Sequence, residues 1–166
     1  MQGNRFGEKR ESINRKPQSW RWIVVFAIMG FIFVQSALPA DLSSAESGWI
    51  TRILSSIFHT DPTALTPVIR KLAHFLEYFL LGMSLLWAIR GGRRGMQRWK
   101  GVPDILVAEV IGVLYAISDE IHQVFVPGRS GEVRDVCIDA AGVFAGVLIV
   151  GWLTGYRMGK YKNDGM

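Results

Sequence analysis

Four stretches of the chain, Trp20 to Leu38, Val68 to Ile89, Ile105 to Ser118 with its flanks, and Val136 to Leu153, are apolar for most of their length, and polar residues gather between them. Each is roughly the length an α-helix needs to cross a hydrocarbon core of about 30 Å. The pattern predicts an all-α polytopic membrane protein with four transmembrane helices, over about 20–38, 68–89, 104–122 and 135–153, in a single domain covering residues 1–166. A shorter pattern lies between the first two blocks. Trp49-Ile50, Ile53-Leu54 and Ile57-Phe58 alternate with Thr51, Arg52, Ser55 and Ser56 at the i, i+3, i+4 spacing of an amphipathic helix. It is too short to span. It is expected to lie flat at the interface, with Trp49 among the headgroups, or to pack as a lid over the bundle. Asp61-Pro62 and Thr66-Pro67 should then break it and let the second span begin.

Composition sharpens this picture. The 166 residues are 49% hydrophobic yet 20% charged, and the mean hydropathy is +0.22, so the charges must be segregated from the apolar blocks. Basic residues fall in three groups: Arg5, Lys9, Arg10, Arg15, Lys16 and Arg21; Arg90, Arg93, Arg94, Arg98 and Lys100; Arg157, Lys160 and Lys162. By the positive-inside rule all three are cytoplasmic. Both termini are then inside, as tails 1–19 and 154–166, and the connections 39–67 and 124–134 are outside. The net charge of +5 follows from topology. No recognition motif accompanies the basic residues, so no nucleic-acid partner is expected. A signal peptide competes for the first block, because Ala37-Leu38-Pro39-Ala40 offers small residues for cleavage. The run exceeds the usual h-region and its basic tail is long, which favours an uncleaved span. The lone Cys137 allows neither an intrachain disulfide nor a thiolate metal site.

Ionisable residues in or beside membrane spans are candidates for function. On a helix, Lys71, His74, Glu77 and Tyr78 crowd one stripe at the outer end of the second span. Tyr115, Asp119 and His122 share a face at the outer end of the third, with Gln123 beside them and Glu120 about 100° away from Asp119. Pro127-Gly128 supplies a tight turn before Arg129, whose planar fork suits a carboxylate or phosphate and serves equally well as a clamp holding the loop. Asp135 and Asp139 lie at i, i+4 on the fourth span, where Ala141-Gly142 and Ala145-Gly146 predict close helix packing. Gln35 and Ser36 reach the same depth on the first span. The candidate catalytic groups are therefore His74, Asp119, Glu120, His122, Asp135 and Asp139, and the candidate substrate-binding groups are Lys71, Glu77, Tyr78, Gln123 and Arg129. Neither H-E-x-x-H nor a comparable ligand spacing is present, so no metal or other cofactor is predicted.

Three motifs in order carry a resemblance: Lys71-x-x-His74-Phe75-x-x-Tyr78-x-x-Leu81-Gly82, then Asp119-Glu120-x-x-Gln123-x-Phe125-x-Pro127-Gly128-Arg129, then Asp135-x-x-x-Asp139-x-x-Gly142-x-x-x-Gly146. Over roughly residues 20–155 the chain resembles the VanZ-like family of small bacterial membrane proteins. Many members have Asn where Asp139 stands. The resemblance implies a multi-pass protein of the bacterial cytoplasmic (inner) membrane. The family's name comes from a member linked to resistance to a lipoglycopeptide of the teicoplanin type, which identifies no reaction. Three readings stay open. The outer cluster could bind or modify an anionic envelope lipid or cell-wall precursor, with an effect on glycopeptide or lipoglycopeptide susceptibility. It could be the active site of a hydrolase or transferase acting on a phosphoryl or acyl lipid, with His74 or His122 as base or nucleophile. It could be a structural ion-pair network, in a structural or partner-binding membrane protein. Membrane lipids are the expected partners, with a lipid-linked precursor or the lipoglycopeptide itself as candidates, and the oligomeric state is left open.

Overall fold

The computed structural model describes residues 19–39, 48, 51–53, 55–57, 59, 61–92 and 103–163, with side chains of the last helix as far as Thr154. Among them there is no strand. Four long helices carry the fold: α1 (Trp20–Ala37), α2 (Pro62–Gly92), α3 (Asp104–Gln123) and α4 (Val133–Asn163). The basic residues before Trp20, those of 93–100 and those of the last tail lie outside the described side chains.

The start of α2 is written in its first residues. Asp61 Oδ1 accepts hydrogen bonds from Thr63 N and Oγ1 at 2.9 and 2.8 Å, and Pro62 takes the first helical position, where a missing N–H costs nothing. The predicted break at Thr66-Pro67 does not occur, and the helix runs straight through Pro67. Pro67 removes the hydrogen bond to the carbonyl of Thr63, and that residue is exposed at the helix end, so little is lost. At 31 residues each, α2 and α4 are about 46 Å long, beyond what a hydrocarbon core requires. Hydropathy marked only their apolar middle parts.

Side-chain contacts give the helix directions. Arg21 at the start of α1 donates to the carbonyl of Trp87 near the end of α2, so α1 and α2 are antiparallel. Arg90 of α2 faces Asp104 at the start of α3, so α3 runs against α2. Lys71 meets Asp135, and Arg90 meets Val150 and Thr154, so α2 and α4 run in the same direction. The C-terminal ends of α1 and α3 and the N-terminal ends of α2 and α4 therefore gather at one end of the bundle.

As the small residues predicted, α2 and α4 touch backbone to backbone. A Cβ on Gly142 would lie 2.5 Å from the Phe75 carbonyl oxygen, and one on Gly146 would collide with the Phe79 carbonyl. Side chains excluded there give van der Waals contact along the seam, which drives helix association where the hydrophobic effect does not. Tyr78, Leu81, Leu85, Val143 and Val147 fill the interior beside it. The hydroxyl of Tyr115 ties α3 to α1 by donating to the Met29 carbonyl at 2.6 Å.

The outside is apolar. Ile23, Phe26 and Phe31 on α1, Leu72, Leu76 and Leu80 on α2, and Phe144, Leu148 and Trp152 on α4 are all exposed, a girdle foreign to a monomeric protein in water. Among the described residues, three helices are long and apolar enough to cross a membrane: Trp20–Ala37, Thr63–Gly91 and Val133–Thr154. The 20 residues of α3 have the length, but Asp104, Glu109, Asp119 and Glu120 lower its apolar character. Between α1 and α2, residues 48, 51–53 and 55–57 are helical, with Ile53 and Ile57 exposed and Thr51 buried. Trp49, Ile50, Leu54 and Phe58, the rest of the predicted apolar face, lie outside the described residues.

Candidate functional site

At the end where α1 and α3 finish and α2 and α4 begin, a cavity of about 230 Å³ opens, bounded by α2, the end of α3, the loop 124–132 and the start of α4. The loop takes its shape from two residues. Gly128 has φ 74° and the Arg129 N–H donates to the Val126 carbonyl at 3.1 Å, a type II turn with Pro127 and Gly128 at its two central positions. This aims Arg129 back across the bundle end.

Arg129 is a clamp. Its Nε donates to the Leu38 carbonyl at 2.9 Å, its Nη2 to the Gln35 carbonyl at 2.9 Å, and its Nη1 to Gln123 Oε1 at 3.2 Å. The fork thus holds the last carbonyls of α1, which have no partner within the helix. Burial, and next the Arg70 charge, push this guanidinium below its ordinary value, while Asp119, Glu120 and Glu77 act in the opposite direction. It stays a cation at neutral pH. Of the two uses open to it on sequence, the structural one takes three of its five N–H donors.

Gln123 passes the network inward. Its Nε2 donates to Asp119 Oδ2 at 3.1 Å, and Ser36 Oγ donates to the same oxygen at 2.7 Å. Asp119 is 3% exposed, and its other oxygen has no hydrogen-bond partner among the described residues. Next to it are Asp139 of α4, 1% exposed, and His74 of α2, with one nitrogen or oxygen atom of each of the three within 4.8 Å of the others. Neither oxygen of Asp139 has a hydrogen-bond partner among the described residues. Glu120, 6% exposed, accepts the backbone N–H of Glu132 at 2.6 Å and so fastens the start of α4. Lys71 pairs with Asp135 and stands 3.7 Å from Glu132.

The cavity therefore brings together Lys71, His74, Glu120, Gln123, Arg129, Asp135 and Asp139 from the sequence candidates, with Asp119 directly behind His74 and Asp139. Three candidates do not line the cavity. His122 stacks on Phe33 of α1 with ring centres 4.6 Å apart. Glu77 lines an apolar groove against α1 with Ile23, Ile28 and Phe31. Tyr78 is wholly buried behind the cavity, its ring 6.1 Å from Tyr115 and its hydroxyl beside Asp119. Their turn positions agree with one stripe, but a helix packed on two neighbours divides a stripe between them. Conversely, Arg70, Ser130, Glu132 and Arg134 line the cavity and were not among the candidates. Arg70 stands four residues before His74, and that spacing was the signal available.

Chemically, the cavity is rimmed by Arg70, Lys71 and Arg134, of which Lys71 pairs with Asp135 and Arg134 stands 3.5 Å from Glu132, over a floor of buried carboxylates and one imidazole. The rim can hold an anion, and the floor can hold a proton or a cation. An all-helical membrane protein with its polar groups gathered under one end of the bundle is the class that this fold and site define. The model of the VanZ/LLP1 family matches residues 21–154, and the chain belongs to that family. No curated protein and no solved structure matches it.

Proposed function

We propose that the chain is a four-span protein of the bacterial inner membrane, with both termini cytoplasmic, whose cavity lies at the outer leaflet and binds the anionic headgroup of an envelope lipid or lipid-linked cell-wall precursor. The observation that carries this reading is Arg70. It lines the cavity, makes no hydrogen bond or ion pair with any described residue, and its Nε is buried without a partner. An unpaired guanidinium in such a place is suited to a phosphate.

Further features support the reading. Asp119 and Glu120 of α3 are buried, and Leu106, Val110, Leu114, Ile117 and Ile121 form an exposed apolar stripe along the helix, as a lipid-facing fourth span requires. Arg21 and Arg90 mark the opposite end, which suits the cytoplasmic side. Exposed Ile53 and Ile57 suit a short helix lying on the outer surface. The groove of about 370 Å³ between α1 and α2 is almost wholly apolar and suits an acyl chain. An effect on glycopeptide or lipoglycopeptide susceptibility would follow from masking or altering that lipid.

Native mass spectrometry with lipid identification tests the proposal, comparing the purified wild type with Arg70→Gln. A phosphate-bearing envelope lipid retained by wild type and lost from an equally stable Arg70→Gln protein is expected. Equal retention by both, or no anionic lipid on either, would sink it. The orientation is checked by Ser130→Cys, which an impermeant reagent should label from outside the cell.

A further inference from the structure

The floor of the cavity has a charge problem that its rim does not. Asp119 and Asp139 are almost fully buried, come from different helices, and lie beside each other with His74. Both Asp139 oxygens and Asp119 Oδ1 lack a hydrogen-bond partner among the described residues. Of the cations lining the cavity, Arg129 is held by Leu38, Gln35 and Gln123 and Lys71 by Asp135 and Glu132, while Arg70, without a partner among the described residues, makes no ion pair with either aspartate. Two buried carboxylates side by side repel unless a positive charge joins them.

We propose that His74, Asp119 and Asp139 together bind one divalent transition-metal ion. One imidazole nitrogen and two carboxylate oxygens suit Zn²⁺, Mn²⁺ or Fe²⁺, whereas Ca²⁺ and Mg²⁺ take oxygen donors. The three ligand atoms lie within 4.8 Å of one another. Bonds of about 2.1 Å hold tetrahedral ligand atoms roughly 3.4 Å apart, so the ion would draw them together by at most about 1.4 Å, within reach of side-chain rotation. Ser36 Oγ and Gln123 Nε2 both donate to Asp119 Oδ2, and hydrogen bonds of this kind orient a ligating carboxylate and leave its other oxygen to the metal. His74 and Asp139 face the cavity, with Asp119 behind them. Three protein ligands on one side leave coordination positions open toward the cavity, as sites that receive a ligand do. This ion site does not depend on the lipid reading. Where both hold, a phosphate oxygen at the rim would take an open position.

The test uses the tag-free full chain in detergent, stripped with a chelator, dialysed, and titrated with Co²⁺ and with Zn²⁺. Bound metal is measured by elemental analysis after equilibrium dialysis, and Co²⁺ also by its visible absorption. Wild type should bind one equivalent. Asp139→Asn and His74→Gln should each weaken binding at least about a hundredfold, and Ser36→Ala about 10–100-fold through Asp119. Arg70→Gln should leave the equivalent in place even where it abolishes lipid retention, which keeps the two proposals apart. Absence of stoichiometric binding by wild type overturns the proposal without recourse to any variant, and so does equal binding by Asp139→Asn and His74→Gln. A proton shared between the two carboxylates would give the first of these results.

Discussion

The two ends of the bundle handle charge in opposite ways. At the α1 start, Arg21 lies with its guanidinium 4.5 Å from the centre of the Trp87 ring and donates to the Trp87 carbonyl, while Arg90 reaches Val150, Thr154 and Asp104. These are long side chains whose apolar stems lie along helices while their heads find polar partners. At the other end, beneath Arg70, Lys71, Arg129 and Arg134, the carboxylates of Asp119, Glu120 and Asp139 are held inside, and three oxygens of the two aspartates lack a hydrogen-bond partner among the described residues. An aspartate cannot stretch toward water as an arginine can. Basic groups at the first end find polar partners, whereas the buried carboxylates at the other leave oxygens unpaired, an arrangement that costs stability.

The largest effect should come from Arg129→Ala, which leaves the Leu38 carbonyl and Gln123 Oε1 without this donor and the Gln35 carbonyl with only the long bond from Leu38 N–H, and should cost about 3–5 kcal/mol. Thermal unfolding in detergent reads this, and Arg129→Lys should recover little because an ammonium cannot fork. A loss no greater than that of Arg90→Ala would erase the contrast between the ends. Gly128→Ala places a side chain at φ 74° and should cost about 1–2 kcal/mol, read by the same melt, since Arg129 would be aimed less well. Asp139→Asn should change stability in the other direction, raising that of the chelator-stripped protein by about 1 kcal/mol or more as like charges separate. A fall in its melting temperature would mean that Asp139 is a stabilising member of a network. Arg90→Ala at the opposite end should cost less than about 1 kcal/mol, because its pair with Asp104 is long and partly exposed.

The smallest effect is a pH dependence outside both ends. Hydrogen bonds from the backbone N–H and then the hydroxyl of Thr63 hold the Asp61 carboxyl below its ordinary value of 3.8. Its folded value is depressed, so its contribution is complete above the unfolded value and fades as pH falls through the folded one. The melting-temperature difference between wild type and Asp61→Ala should therefore be constant near neutrality and close only below about pH 4. A difference that persists in stronger acid would show that the carboxylate charge does not matter to the cap.

Much of this was legible in the chain. Apolar blocks located the helices because lipid-facing side chains must be apolar whatever their neighbours are. Their ends were not legible: α2 starts at Pro62 and α4 runs to Asn163, since a helix continues into water on polar residues that hydropathy does not count. The turn at Pro127-Gly128 was readable because only its backbone geometry decides it. For Arg129 the residue type allowed two uses, and only the nearness of the α1 carbonyls shows that one of them, the clamp, is made. His122 and Glu77 shared stripes with Asp119 and His74, but α1 packs against both and takes them out of the cavity.

The sequence by itself determined the all-helical membrane character, the family, and the placing of polar residues near particular helix ends, because these depend on local composition and on spacing along one helix. Only the tertiary structure decided that His74, Asp119 and Asp139 meet, that Lys71 faces Asp135, and that Arg70 lines the same cavity without a partner among the described residues. Each belongs to a different pairing of helices, and no pattern within one helix encodes which of its faces a neighbour will cover.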